Sequence, residues 1–245
     1  MIKNLKVGTM RDSLAQRDNE IYDYLKQLES KKGRKLSILD VGGGCSIRLP
    51  NTTHVLDFLP LRDAAKDQNV SLFLGNIDLT DGWTEVFEYV KQNGKFDFVV
   101  CSHTLEDINS SEQVILNLFK VADAGMIALP TKYIETIHWE TYYLQQPYMG
   151  YGHHKWIYTV KNNTLYAYPK MGHMEYVKFN FSGLQEYLKR YSNQQTEMTF
   201  LWENDFSFKF VQPFQYLNHF ELTETKQSAY LDLMEKDDVC KLFVG

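Results

Sequence analysis

Acidic and imidazole side chains in this chain fall where short apolar runs stop. Asp57 closes the run "HVLD", Asp78 closes "LGNID", and Ser102 and His103 close "FDFVVCSH". A carboxylate at such an end can accept hydrogen bonds from both hydroxyls of a vicinal diol, and Asp78 or Asn76 can accept from an exocyclic amine. Phe58 and Ile77 stand beside them with apolar faces. Asp78 also has an ordinary alternative, as the N-cap of a following helix. Further along, Glu135 and His154 form a candidate acid–base couple. An imidazole with an unperturbed pKa of about 6.5 is neutral and proton-accepting near neutral pH, and Glu135 can orient it or bind a hydroxyl. His103 is a second candidate for proton transfer, or a ligand contact only. His138, His153 and His154 lack helical ligand spacing and bring no carboxylate-rich motif, so no metal site is expected.

A glycine run precedes all of these. Gly42, Gly43 and Gly44 follow the apolar run "LSILDV", and glycines at the end of a first parallel strand let backbone approach a ligand closely. In a dinucleotide enzyme this loop continues as G-x-G-x-x-G into a helix whose N-terminus holds pyrophosphate. Here the third glycine position is Ile47, and Pro50 stops any helix almost at once. Only Gly42 to Thr53 remains for the crossover, near the minimum of about a dozen residues for a parallel connection. A nicotinamide dinucleotide is therefore disfavoured, and a ligand without phosphates is not. S-adenosylmethionine is such a ligand: its amino-acid end needs backbone room, its ribose a carboxylate, its adenine a polar edge. Asp57, Asp78 and His103 follow in the order it requires. Arg11 could reach its carboxylate as a charged fork.

These side chains need elements to hold them. Leu14, Ile21, Leu25 and Leu28 predict a helix over Asp12 to Lys31. Strands are predicted over Leu36–Val41, His54–Phe58, Val70–Asp78, Phe96–His103 and "GMIALP". Helices are predicted over "DGWTEVFEYVKQNGK" and "SSEQVILNLFKVAD". Alternating strands and helices imply a doubly wound, mostly parallel α/β sheet. After Pro130 the texture turns antiparallel and aromatic. A hairpin is predicted around Asn162-Asn163 and a short helix at "SGLQEYLKRYS". A second hairpin is predicted in "EMTFLWENDFSFKFVQP". We read residues 1–132 as a ligand-binding core and 133–245 as an acceptor-site, β-rich elaboration of the same compact unit. Trp139, Tyr142, Tyr143, Tyr148, Tyr151 and Trp156 are core by default, and their density also suits stacking on a sugar ring.

Composition narrows the class. Among 245 residues, 44% are hydrophobic and 23% charged, as in ordinary globular proteins. A net charge of −5 argues against nucleic-acid binding, which needs clustered Lys and Arg. No apolar run is long enough to span a membrane, and "MIKNLKVGTMRDS" lacks an apolar signal core. Cys45, Cys101 and Cys240 are odd in number and widely spaced, so a reduced, cytoplasmic location is expected.

The ordered motifs "LDVGGG", "VLDF", "LGNID" and "FDFVVCSHTLEDI" resemble those of class I S-adenosylmethionine-dependent methyltransferases. The chain looks closest to a bacterial and viral subgroup with the same shortened crossover, often associated with surface-polysaccharide genes. That subgroup carries a P-S/T pair, a nearby Glu and an H-R/K-W tripeptide, matched here by Pro130-Thr131, Glu135 and His154-Lys155-Trp156. Asp107 departs from the pattern, standing where many relatives have His. The resemblance covers about Leu36 to Tyr158. It implies a Rossmann-like fold and S-adenosylmethionine bound by Gly42–Gly44, Asp57, Phe58, Asn76–Asp78, Ser102 and His103. It also implies methyl transfer to a hydroxyl of a sugar or glycan, with His154, Glu135 or His103 assisting. A small metabolite or lipid-linked precursor as acceptor, or a binding module without catalysis, are the rival readings.

Overall fold

Runs that are apolar at every position make the centre of a sheet, because a strand covered on both faces has no solvent side. The computed structural model describes residues 1–8, 18–44, 46–60, 70–135, 138–141, 144–170 and 196–211, without the side chains of 133, 138–141 and 144–149. The predicted helix at "SGLQEYLKRYS", residues 12–17 of the first predicted helix, Arg11 and Tyr142-Tyr143 lie outside the described residues. Ile38–Val41 (β2), His54–Asp57 (β3), Ser71–Leu74 (β4), Phe98–Ser102 (β5) and Ala124–Pro130 (β6) pair in parallel. Ile2–Gly8 (β1) and Glu197–Glu203 (β11) complete seven strands in the order β1-β11-β6-β5-β2-β3-β4. β11 runs antiparallel to both its neighbours.

Alternate residues of the central strands feed two cores, one on each face. On one side Ile38, Phe98, Val100 and Met126 meet Ile21 and Leu25 of Asn19–Lys32 (α1). On the other, Leu39, Val99, Cys101 and Ile127 meet Val86 of Thr84–Asn93 (α2) and Val114, Ile115 and Leu118 of Ser111–Val121 (α3). The sheet is thus doubly wound, as expected. Among the described residues between β2 and β3 there is no helix. Leu49, wholly buried, fills that face instead beside Ile21 and Leu25.

Trp156–Lys161 (β9) and Thr164–Pro169 (β10) form the expected hairpin, with Lys161 opposite Thr164. Asn162 and Asn163 both take positive φ, 49° and 58°, as a two-residue I′ turn demands. His138–Thr141 (β7) and Leu144–Met149 (β8) pair antiparallel.

The second predicted hairpin does not form. β11 enters the main sheet, while Ser207–Phe210 (β12) joins β10 in parallel, in the separate sheet β12-β10-β9. The reason lies in burial: Glu197 through Trp202 are all buried, the condition of a central strand rather than of one half of a two-stranded ribbon. β1 was not anticipated either. Its mixed pattern of one buried, two exposed and four half-buried residues is that of an edge strand.

Candidate active site

The carboxyl ends of β2, β3, β4 and β5 open on a cleft of about 700 Å³. Gly42, Asp57, Phe58, Asn76, Ile77, Asp78 and His103, all expected at the site, line it. Gly43, Gly44, Ser102, Glu135 and His154 are not part of its wall. Leu59, Thr104, Asp107, Ile108, His153 and Lys155 line it without having been singled out as cofactor contacts.

The glycine turn is shaped by its neighbours. Gly42 has φ of 82°, and a Cβ there would lie 2.3 Å from the Thr104 Oγ1. At Gly43 a Cβ would come within 2.5 Å of the Asp40 carboxyl carbon, and at Gly44 within 2.7 Å of that of Asp57. A larger residue at 43 or 44 thus strikes a buried carboxylate rather than the open cleft. Asp57, buried, accepts from the Gly44 N–H at 2.9 Å and from the Leu59 N–H at 2.8 Å. Its carboxylate therefore pins the turn, and each oxygen retains a further lone pair for a ligand.

Asp78 accepts from the N–H of Ser110 (2.7 Å) and of Asn109 (3.2 Å), and from the Asn109 amide (3.1 Å). Burial works to raise its pKa, but those N–H donors outweigh burial and hold it below the ordinary carboxylate range. It ties the start of α3 to the end of β4, not the helix that follows it in sequence. Ile77 is fixed by its carbonyl, which accepts from the Trp83 indole at 3.1 Å.

Beneath the cleft lies a buried ion network that sequence reasoning missed. The Arg48 guanidinium grips Asp18 (2.7 and 2.8 Å) and Glu197 (2.9 and 3.0 Å), and reaches Ser102 Oγ at 3.1 Å. Glu197 also meets His103 Nε2 at 2.5 Å, and Glu106 lies 3.2 Å from His103 Nδ1. Burial opposes the charge on His103, yet these two carboxylates win and push its pKa up to about 9. Burial would raise Glu197, but His103 and Arg48 bring it well below its usual range. With a carboxylate at each ring nitrogen, His103 is held towards its protonated form, with both nitrogens engaged. Asp40 is a different case: burial raises it to about 7, against the pull of the Arg48 N–H and charge.

The raised His103 pKa carries a pH dependence. Its pairing stabilises the fold fully below the unfolded value of about 6.5 and loses that contribution as pH rises through about 9. His103→Gln should therefore be less stable than wild type by on the order of 1–3 kcal/mol at pH 6. The gap should close towards pH 10 in urea unfolding. A gap that stays constant across this range would contradict the assignment.

On the other flank, Glu135 ends the short helix Lys132–Glu135 (α4). Its Oε1 lies 2.7 Å from His154 Nδ1, and its Oε2 accepts from Lys170 Nζ at 2.7 Å. A carboxylate acceptor at Nδ1 places the imidazole proton there and leaves Nε2 with its lone pair. His154 is held against the end of β5 by its neighbours. The N–H groups of Lys155 and Trp156 both reach the Glu106 carbonyl (2.6 and 3.3 Å), and the Trp156 indole donates to Ile108 O at 2.9 Å. This clamp brings His154 Nε2 to 3.6 Å and His153 Nε2 to 3.8 Å from Asp107 Oδ1, on the cleft wall. His154 itself stands just behind that wall, 7% exposed. The side chains of His138 and Trp139 are outside the described residues.

No protein-family model and no curated protein sequence matches the chain. Solved structures give distant similarities. An O-methyltransferase family protein from Burkholderia thailandensis is 18% identical over 49% of this chain and 40% of that chain, at a TM-score of 0.33. WbdD is 15% identical over 77% of this chain and 40% of that chain, at 0.41. The N-terminal domain of EvdMO1, crystallised in the presence of SAH and D-fucose, is 12% identical over 80% of this chain and 84% of that chain, at 0.38. The chain thus spans 40% of the length of the first two. At such identities and scores, function has to be argued from the site's own residues.

Proposed function

We propose that the chain is a class I S-adenosylmethionine-dependent methyltransferase that methylates a hydroxyl of a sugar or glycan. One observation carries the cofactor: the helix-free glycine turn, pinned to Asp57 by the Gly44 N–H at the mouth of the cleft. A pyrophosphate would need the helix N-terminus that this crossover omits. A ribose diol finds a carboxylate in Asp57, adenine finds Phe58, Ile77 and the edge of Asn76 and Asp78, and the amino-acid end meets Gly42. The sulfonium methyl is already activated, so holding acceptor oxygen, methyl carbon and sulfur in line supplies most of the rate. His103, held between two carboxylates, contributes position. Proton removal falls to His154 Nε2, whose ring is set by Glu135. The rings of Tyr151 and His153, packed edge to face with centroids 5.8 Å apart, offer aromatic surface for a sugar acceptor near this point.

Calorimetry with S-adenosylhomocysteine against NAD tests the cofactor directly. S-adenosylhomocysteine should bind, and NAD should not. Asp57→Ala should weaken S-adenosylhomocysteine by about tenfold to a hundredfold, the worth of charge-assisted hydrogen bonds at roughly 1.5–3 kcal/mol. An unchanged dissociation constant in a folded variant removes Asp57 from the site. Binding without methyl transfer to any of a panel of deoxysugar glycosides would leave a binding module instead of an enzyme.

A further inference from the structure

The meeting of Asp107, His153 and His154 goes beyond acid–base chemistry. Their side-chain donor atoms, one carboxylate oxygen and two imidazole nitrogens, all lie within 4.8 Å of one another. The measured separations from Asp107 Oδ1, 3.6 and 3.8 Å, are too long for hydrogen bonds. They are close to the roughly 3.4 Å between neighbouring donors of a tetrahedral centre with bonds of about 2.1 Å. Asp107 Oδ1 is buried and has no hydrogen-bond partner among the described residues. An unpaired anionic oxygen of that kind is costly unless a cation or water satisfies it.

The fourth residue is as telling as the three. His154 turns Nδ1 to the carboxylate of Glu135, which accepts there, is 1% exposed and is fixed by Lys170. A carboxylate–histidine pair of this kind sets the tautomer, fixes the ring and raises the basicity of the opposite nitrogen, as in established metal centres. The nitrogen so prepared is the one that faces Asp107.

We infer that Asp107, His153 and His154 form a binding site for one divalent first-row transition metal, Zn²⁺ or Mn²⁺ in class, with Glu135 as the positioning residue behind it. Two imidazoles favour such ions over Mg²⁺ or Ca²⁺, which prefer oxygen donors. Because Asp107 and His153 line the cleft, the open coordination positions face it. A role in catalysis rests on the methyltransferase reading above. The ion would bind the acceptor hydroxyl oxygen and ease loss of its proton to solvent. The oxygen–methyl bond then forms as the carbon–sulfur bond breaks, with no change of oxidation state. An ion on Nε2 would take over the part that the free imidazole otherwise plays.

The test uses tag-free full chain, stripped with EDTA and dialysed, then titrated with Co²⁺ by visible absorption and with Zn²⁺ and Mn²⁺ by calorimetry. One equivalent should bind. Asp107→Asn and His153→Gln, two partly exposed positions, should abolish uptake in folded protein, and Glu135→Gln should weaken it by about 10–100-fold. No uptake below millimolar metal, or uptake unchanged in Asp107→Asn and His153→Gln, overturns the site. S-adenosylhomocysteine affinity is measured on the same stripped protein. Cofactor binding without metal uptake sinks this inference alone; metal uptake without cofactor binding sinks the methyltransferase reading alone.

Discussion

Arg48→Met should destabilise the protein by about 3–5 kcal/mol, the usual cost of breaking a buried ion pair by removing one partner. The guanidinium is 4% exposed and satisfies two carboxylates, Asp18 and Glu197, that are themselves 0% and 2% exposed. Methionine fills much of the volume but leaves two negative groups facing each other without a cation between them. Arg48→Lys should rescue only in part, because an ammonium can bridge two carboxylates but cannot reproduce the two bonds that the planar guanidinium makes to each. Urea unfolding monitored by tryptophan fluorescence reads the change, and a loss below about 1 kcal/mol would show the network is dispensable. Cofactor affinity should fall too, since the same guanidinium bonds Ser102 at the end of β5.

The second large effect is on turnover. His154→Ala should lower methyl transfer by about 10²–10⁴-fold, the range expected of a positioned general base. S-adenosylhomocysteine affinity should hardly move, because His154 lies outside the wall that Gly42, Asp57 and Ile77 build. Glu135→Gln should cost less: an amide can still orient the ring, though it no longer favours the Nδ1 proton as a carboxylate does. Methyl transfer to a deoxysugar glycoside, measured under single turnover, separates these effects. Near-normal rates in His154→Ala would leave alignment alone as the source of catalysis.

Much of the scaffold was legible because a strand buried on both faces has to be written in apolar residues, as "LSILDV" and "FDFVV" are. The strand-end residues Asp57, Asp78 and His103 were found through position, since the end of a parallel strand is where backbone and side chains can face a ligand. Alternation in "EMTFLW" marked a strand but gave neither its burial nor its partner: a period of two implies one buried face, whereas Glu197 to Trp202 are all buried, and it says nothing of which strand lies alongside. Arg48 was invisible for a related reason. Its partners lie 30 and 149 residues away, and an ion pair made across such distances leaves no periodic trace. One signal was present: Arg48 is the single basic residue between Gly42 and Thr53. Asp107 was noticed only as a departure from a motif, and its meaning waited on the clamp that sets His153 and His154 against it.

The insertion of β11 between β6 and β1 also dictates an order of events as the chain folds. Strands β2 to β6 and their helices can assemble from local crossovers, but β6 then presents a bare edge on which every residue is destined for the interior. That edge stays open until Glu197–Glu203 has been synthesised, and β1 must wait for the same segment, meeting it through pairs such as Lys3 and Glu203, 200 residues apart. Contacts of such separation close slowly, and open edges invite aggregation while they wait. Glu197 is also the last member of the ion network to arrive, so His103 and Arg48 gain their full set of partners only when the sheet is complete. A nascent chain stalled before residue 197 should therefore hold most of the parallel strands yet lack a settled site, and should depend on chaperones until the remaining strand emerges.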